Sequence, residues 1–456
     1  MINNTSSLVL LHISDIHFRK NVSGKVYDLD ADLRNMIELD TKIMVKRLGG
    51  ISGIIISGDI AFAGQQEEYI NALGWLEKLC DSLDCSRDKV WCVPGNHDVD
   101  RSIVSRSIFL ENAHKSLRPQ DPNDVDELIG RYMQDEQAND LYRPIEKYNQ
   151  LFAEKFRCDI NSKKPYWEQD FLLNDGSTLR LRGTNSTLVS DSNDNDATYK
   201  LILGSYQATP TKQSGVEYIV VCHHPPSWLI DQDQVEETWN ARARIQLFGH
   251  KHKQKITFVD DRSIILIAGA MHPDRREPNW HPHYNFLEIS VENQENKRYL
   301  KVAVYPRTWN SSDKQFQGEY SPQGSDSRTY NIEIEPWEAE TDAKANDNSY
   351  ENMGQPDMAK NNLEDNSKGV SSTVGQFMDP SRKLTYQYLS LPYHKRILIA
   401  QQLELIEDSD EGLRDSELFV LYFQRARDKK VLEQLWNNVS NAYGSNDIDQ
   451  NPFQGR

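Results

Sequence analysis

Gly53-Ile54-Ile55-Ile56-Ser57-Gly58-Asp59 is the stretch that decides how the first half of this chain is read. Three consecutive isoleucines fit a strand buried on both faces. The strand stops at Gly58, where glycine lets the turn bring the Asp59 carboxylate close. The same pattern repeats outward on both sides. Leu8 to Ile13 is a short apolar strand, and Lys89 to Val93 is another. Leu33 to Leu48 and Glu67 to Leu83 have helical spacing between them. This β-α-β-α-β order predicts a largely parallel sheet, which presents ligands beyond the carboxyl ends of its strands.

From Arg101 to about Trp167 the pattern turns helical and polar, which predicts an insertion over or beside the sheet. Tyr132, Tyr142 and Tyr148 within it read as helix-packing residues, with stacking on bases as the alternative. Phe171 to Gly183 reads as a hairpin around Asn174-Asp175-Gly176. Tyr218 to Cys222, Arg244 to Phe248, Ile256 to Val259 and Ser263 to Ile267 are further strands. Tyr284 to Ser290, Tyr299 to Tyr305 and Tyr330 to Ile334 continue a β-rich half. Residues 336–380 are rich in Asn, Asp, Glu, Ser and Gly, so they cannot bury enough apolar surface to offset their ordering entropy. They predict a disordered acidic linker between residues 1–335 and a small helical module, 381–456.

Five clusters carry the chemistry, each at a predicted strand end. Asp15 and His17 stand two residues apart. Asp59 follows its strand and can bridge two cations with its two oxygens. Asn96, in Gly95-Asn96-His97-Asp98, offers a neutral amide oxygen. His223-His224-Pro225-Pro226 and Gly249-His250-Lys251-His252 complete the set. Alone, each reads as a polar loop. Together they gather imidazole, carboxylate and amide ligands without a thiolate, which suits Mn, Fe, Zn or a similar ion rather than calcium. His272, His281 and His283 fit no ligand spacing and read as a rim loop.

These motifs resemble, in full, the signature of the calcineurin-like metallophosphoesterases over roughly residues 8–290. The resemblance implies an α/β fold, a two-sheet αββα sandwich, here with a small all-α C-terminal module. It implies one metal on Asp15, His17, Asp59 and His252, and a second on Asp59, Asn96, His223 and His250, with Mn favoured. His224 then stands behind His223. Two such cations clamp phosphate oxygens and lower the pKa of an attacking water. His97 is the expected proton donor to the leaving oxygen, with Asp98 orienting its ring. Arg19, Arg101 and Lys251 lie next to ligands and are the candidates for holding substrate. The segment around Pro392 to Ile397, with Phe423 to Arg427 and Leu435-Trp436, resembles small helical adaptor domains of bacterial effector enzymes. It implies a protein partner in a defence or signalling complex.

The net charge of −17 gives no bulk attraction for nucleic acid, so any such binding needs a local basic patch or a partner, except at a metal site, where bound cations reverse the local field. Five cysteines at spacings that fit no zinc site read as free thiols in a reducing compartment. With no signal-peptide pattern and no apolar run of membrane-spanning length, the expected location is cytoplasmic. The expected activity is a dinuclear-metal phosphodiesterase on a nucleotide or nucleic acid, nuclease-like or acting on cyclic nucleotides. The alternative is a non-catalytic metal-binding scaffold that assembles through its helical tail.

Overall fold

The structure is a computed structural model that describes residues 7–20, 30–272, 281–321, 324–337, 384, 388, 391, 393–406 and 415–443. The chain divides into two compact units, Met1–Asn348 and Ser349–Arg456. The first unit holds two sheets. β1 (Leu8–Ile13), β2 (Gly53–Ile56) and β3 (Val90–Cys92) are parallel neighbours, with Leu11 opposite Ile54 and Ile55 opposite Trp91. The second sheet comprises β4 (Trp167–Leu172), β5 (Thr178–Gly183), β6 (Val216–Cys222), β7 (Ala243–Phe248), β8 (Lys255–Val259) and β9 (Ser263–Ile267). Its order is β4-β5-β6-β7-β9-β8, with β5, β6, β7 and β9 running parallel. The chain then returns to the first sheet. β10 (His283–Gln294) runs antiparallel to β1, and β11 (Lys297–Asn310) carries both β12 (Gln315–Gly318) and β13 (Arg328–Ile334).

Leu10, Leu11, Ile13 and Ile54 to Ile56 are fully buried, so both faces of β1 and β2 are covered, as the isoleucine run requires. α1 (Ala31–Leu48) buries Leu33, Ile37 and Met44, and α2 (Gln66–Leu83) buries Tyr69, Trp75, Leu76 and Leu79. α2 starts in a capping box: Glu68 Oε2 accepts from the amides of Gln65 at 3.0 Å and Ala63 at 2.9 Å. That ties back the loop that carries Asp59.

The stretch after Asp98 is helical: α3 (Arg101–Arg106), α4 (Ile108–Ser116), α5 (Val125–Met133), a 3₁₀ segment Ala138–Ile145, and α6 (Glu146–Leu151). Tyr142 and Tyr148 are buried there, Tyr148 donating to Cys92 Sγ at 3.3 Å. Tyr148 thereby packs the insertion onto β3, while Tyr142 reaches Met133 within the insertion. Arg118 leaves this insertion to reach Asp191 at 3.1 Å, Asp194 at 3.0 Å, and the carbonyls of Val189 and Lys200.

Two helices lie where the sequence predicts none, the single turn α7 (Ser205–Ala208) and α8 (Gln232–Arg242). α8 buries only Val235 and Trp239, too few apolar residues to mark a period. Apart from Pro336 and Trp337, the expected linker lies outside the described residues. The second unit has α9 (Tyr393–Gln402), α10 (Asp415–Asp428) and α11 (Leu432–Tyr443) around its own core of Leu384, Ile399, Tyr422, Leu435 and Val439. Among the described residues no helix is long and apolar enough to cross a membrane, and all five cysteines are buried free thiols.

Candidate metal centre

All five motifs follow the carboxyl ends of parallel strands: β1, β2 and β3 in one sheet, β6 and β7 in the other. The loops are then tied together by main chain. Asp15 N donates to Gly58 O at 3.1 Å, His17 N to Asp59 O at 3.0 Å, and Gly249 N to His223 O at 3.0 Å. Five of the seven expected ligands take left-handed backbone conformations: Asp15 (φ 53°), His17 (51°), Asp59 (53°), His250 (68°) and His252 (51°). Asp and His tolerate this region better than bulkier residues, yet such strain persists only where the surroundings impose it, and it collects at functional sites. Gly58 (φ 99°) abuts His223, so close that a Cβ there would lie 2.4 Å from the ring. A Cβ on Gly95 would lie 2.1 Å from Asp59 Oδ1. Glycine is thus required where two ligand loops press on one another.

Asp59 sits at the centre. Its Oδ1 accepts from His97 N at 2.8 Å, and its Oδ2 lies 3.3 Å from His223 Nε2 and 3.9 Å from His17 Nε2. Asp15 Oδ1 lies 3.2 Å from His252 Nε2 and 3.9 Å from His17 Nε2. Asn96 Oδ1 faces three imidazole nitrogens: His250 Nδ1 at 3.0 Å, His224 Nε2 at 3.1 Å and His223 Nε2 at 3.2 Å. The side chains form four overlapping groups with ligand atoms within 4.8 Å: Asp15-His17-His252, Asp15-Asp59-His223, His17-Asp59-His97 and His223-His224-His250.

The electrostatics follow from burial and proximity. Burial opposes charge on both carboxylates, but neighbouring imidazoles outweigh it. His252 and His223 hold Asp15 down at about 2, and His223 and His17 hold Asp59 well below the carboxylate range. Burial also opposes a proton on His223, and Asp59 and Asp15 overcome it, raising His223 to about 9. Burial, reinforced by His223, lowers His250 to about 3, and burial, helped by His97 and His252, outweighs both carboxylates to lower His17 to about 4. Burial, with His250 and His223 beside it, lowers His224 well below its ordinary value. The site therefore offers anionic oxygens beside neutral lone pairs on His17, His224 and His250, whereas His223 holds a proton between the two carboxylates that a bound cation would displace.

That donor set fits divalent cations. The buried Asp15 Oδ1 accepts no hydrogen bond. Asn96 Oδ1 is an acceptor ringed by nitrogens that are themselves ligand atoms. His223 Nδ1 is committed to Ser57 O at 2.8 Å, which aims Nε2 into the site, the usual outer support of a metal-binding histidine.

Two expectations change. Asp98 does not orient His97. Its buried carboxylate accepts from the amides of Ala61 at 2.9 Å, Gly95 at 2.9 Å and Ile60 at 3.2 Å, and from Tyr69 Oη at 3.1 Å. It staples the Asp59 loop to the Asn96 loop, and burial and Asp59 push it up to about 7. The Phe62 carbonyl accepts from His97 Nδ1 instead, at 2.6 Å. A main-chain acceptor leaves no trace in a motif, although Phe62 is three residues past Asp59. His224, expected behind His223, reaches Asn96 directly and takes Ser186 Oγ at 2.8 Å with its other nitrogen. Trp228, which the motif reading passed over, packs its ring 4.1 Å from that of His250.

The candidate substrate cations differ among themselves. The Arg19 guanidinium lies 3.8 Å from the Phe62 ring centre, Lys251 pairs with Asp196 at 3.5 Å, and Arg101 opens α3 exposed to solvent. His272 donates its amide to Asp15 O at 3.1 Å and turns its ring to Asp30 at 3.0 Å, while His281 and His283 contact each other.

Residues 8–254 match the calcineurin-like phosphoesterase family, and residues 380–441 match the GTPase-associated adaptor domain. The chain is 24% identical over 325 residues to the metallophosphoesterase-like protein YydB of Bacillus subtilis (strain 168), in a match covering 67% of this chain and 60% of YydB. It thus spans less than two thirds of that relative's length. Among solved structures it is similar to a dimetal phosphatase of Danio rerio, at 11% identity and TM-score 0.37, covering 71% of this chain and 99% of that one. It is also similar to a 5′-nucleotidase of Candida albicans, at 11% identity and TM-score 0.32, covering 63% of this chain and 49% of that one.

Proposed function

The chain belongs to the calcineurin-like phosphoesterases, metal-dependent hydrolases of phosphoester bonds, and we propose that the bond it cuts is a phosphodiester in a nucleotide or nucleic acid. The observation that carries the reading is the convergence on Asp59 and Asn96 of five further ligand residues, with His97 adjoining. We assign one metal to Asp15, His17, Asp59 and His252, and the other to Asp59, Asn96, His223 and His250. Mn suits this N/O set. Bound there, the two cations supply charge stabilisation for the phosphate oxygens and an attacking water with a pKa lowered toward neutrality.

The chain's own residues do the rest. The Phe62 carbonyl fixes His97 Nδ1 as a donor, so it is the protonated ring whose Nε2–H passes a proton to the leaving oxygen. Asp98 holds the two loops that place Asn96 and His97. Arg19, Arg101 and Lys251 are the cations we assign to holding the substrate. The choice of a diester rests on the Ser14-Asp15-Ile16-His17-Phe18 opening and the Asn96-His97-Asp98-Val99 run. Both resemble the cyclic-nucleotide phosphodiesterase and DNA-repair nuclease branches.

Hydrolysis of bis(p-nitrophenyl) phosphate with added Mn tests the proposal. Asp59→Ala is expected to fall to background. His97→Ala is expected to lose about 10²–10⁴-fold in kcat. Equal, near-background rates in wild type and both variants would sink the enzyme reading. The adaptor-domain match supports a second role alongside catalysis, recruitment of a protein partner through residues 381–456; we propose a bacterial defence or signalling complex in the cytoplasm as its setting. If hydrolysis fails while that partner still binds, the chain is a metal-binding scaffold.

A further inference from the structure

Next to His97 the surface opens into a cavity of about 310 Å³. Phe62, Ala63 and Val99 give it apolar walls, and Asn96 and His97 line it too, which sets it beside the centre. Most of its polar side chains already serve one another. Asp100 accepts from Lys147 Nζ at 2.7 Å and Ser102 Oγ at 2.6 Å, and Gln65 accepts from Lys147 at 3.1 Å. Arg101 lines the cavity but is exposed, and among the described residues its side chain has no hydrogen bond or ion pair. The Phe62 ring is braced by the Arg19 guanidinium and by contact with the His97 ring, 5.3 Å between centres.

The size sits at the lower end of ligand pockets, about 300–1,000 Å³, so it suits one nucleoside-sized group rather than a strand. A braced aromatic wall gains from a flat π-system and little from an aliphatic alcohol. An unpaired arginine in a chain of net charge −17 meets an anion that the bulk field does not supply. On the phosphodiesterase reading above, we propose that this cavity receives the leaving group of the diester. The group is a nucleoside whose base stacks on Phe62 and whose further phosphate meets Arg101. Hydrolysis then forms a P–O bond to the oxygen of water and breaks the P–O bond to the nucleoside. The departing oxygen takes a proton from the protonated His97; of the water's two protons, one stays with the new phosphomonoester and the other returns to His97.

A diester with two different alcohols tests this on a single substrate. Thymidine 5′-(methyl phosphate) can release thymidine or methanol, alkoxides of similar basicity. With the full chain and Mn, thymidine is expected over methanol by about tenfold or more, a ratio that Phe62→Ala lowers severalfold. Because both products come from one reaction, loss of folded or metal-loaded protein cancels from the ratio. A 3′-phosphate on the thymidine is expected to raise kcat/KM by about tenfold, and Arg101→Ala to remove that gain. Equal release of the two alcohols by wild type, a ratio unmoved by Phe62→Ala, or a gain kept by Arg101→Ala would overturn the subsite and leave the diesterase reading standing. No hydrolysis of any diester, bis(p-nitrophenyl) phosphate included, overturns both.

Discussion

At the scale of single residues, the centre is a set of buried groups whose protonation the fold controls. His12 shows this away from the ligands. It is fully buried, its Nε2 pairs with Ser57 Oγ at 2.9 Å, and burial lowers it to about 3 against the pull of Asp15. In the unfolded chain the same imidazole titrates near its ordinary value of 6.5. Between those values only the unfolded state takes up the proton. His12 therefore contributes stability that is present above pH 6.5 and lost as pH falls toward 3. The slope from one such proton is at most about 1.4 kcal/mol per pH unit. Urea midpoints between pH 4 and about 7, taken with chelator present, are expected to rise with pH and to rise less steeply in His12→Asn. Parallel slopes would mean that His12 is protonated in the folded state. The ligand types at this scale were legible because each motif is contiguous and ends a strand. The hydrogen-bond pattern was not: Asp98 serves main-chain amides and His97 a main-chain carbonyl, neither of which a motif encodes.

At the scale of elements, the site is held by connections between loops more than by the strands. Arg118, after α4, is the firmest of these. It is largely buried and bridges Asp191, Asp194 and two carbonyls of the loop after β5. That loop also carries Ser186, the partner of His224. Arg118→Ala leaves two carboxylates without their cation, and breaking a buried pair on one side costs about 3–5 kcal/mol. A loss near 3 kcal/mol in urea unfolding is expected, with faster proteolysis at residues 190–200; a loss under about 1 kcal/mol would class the contact with ordinary surface pairs. The parallel strands were plain in the sequence, since Ile54 to Ile56 and Tyr218 to Cys222 leave no alternation to misread. α8 was not, because Val235 and Trp239 alone anchor a polar helix. The four-residue β12 was missed for the related reason that only Phe316 and Gly318 of it are buried.

At the scale of the whole molecule, the two units have separate cores. The core of the first includes Leu11, Ile55, Ile219 and Leu247, and the second packs Leu384, Tyr422, Leu435 and Trp436 around three helices. Every side chain assigned to the metals and to proton transfer belongs to the first unit. A unit with its own core unfolds on its own unless a large apolar interface couples it to its neighbour. Chain ending at residue 348 is therefore expected to keep Mn-dependent hydrolysis of bis(p-nitrophenyl) phosphate within about twofold of the full chain, since nothing in its core is cut. The full chain is expected to melt in two calorimetric transitions, only the higher of which moves when Mn is added, because a ligand stabilises the unit that binds it. The smaller unit, Ser349–Arg456, has the thinner core and the lower transition. A single transition shifted as a whole by Mn, with hydrolysis lost on truncation, would mean that the helical unit completes the catalytic one instead of carrying it to a partner.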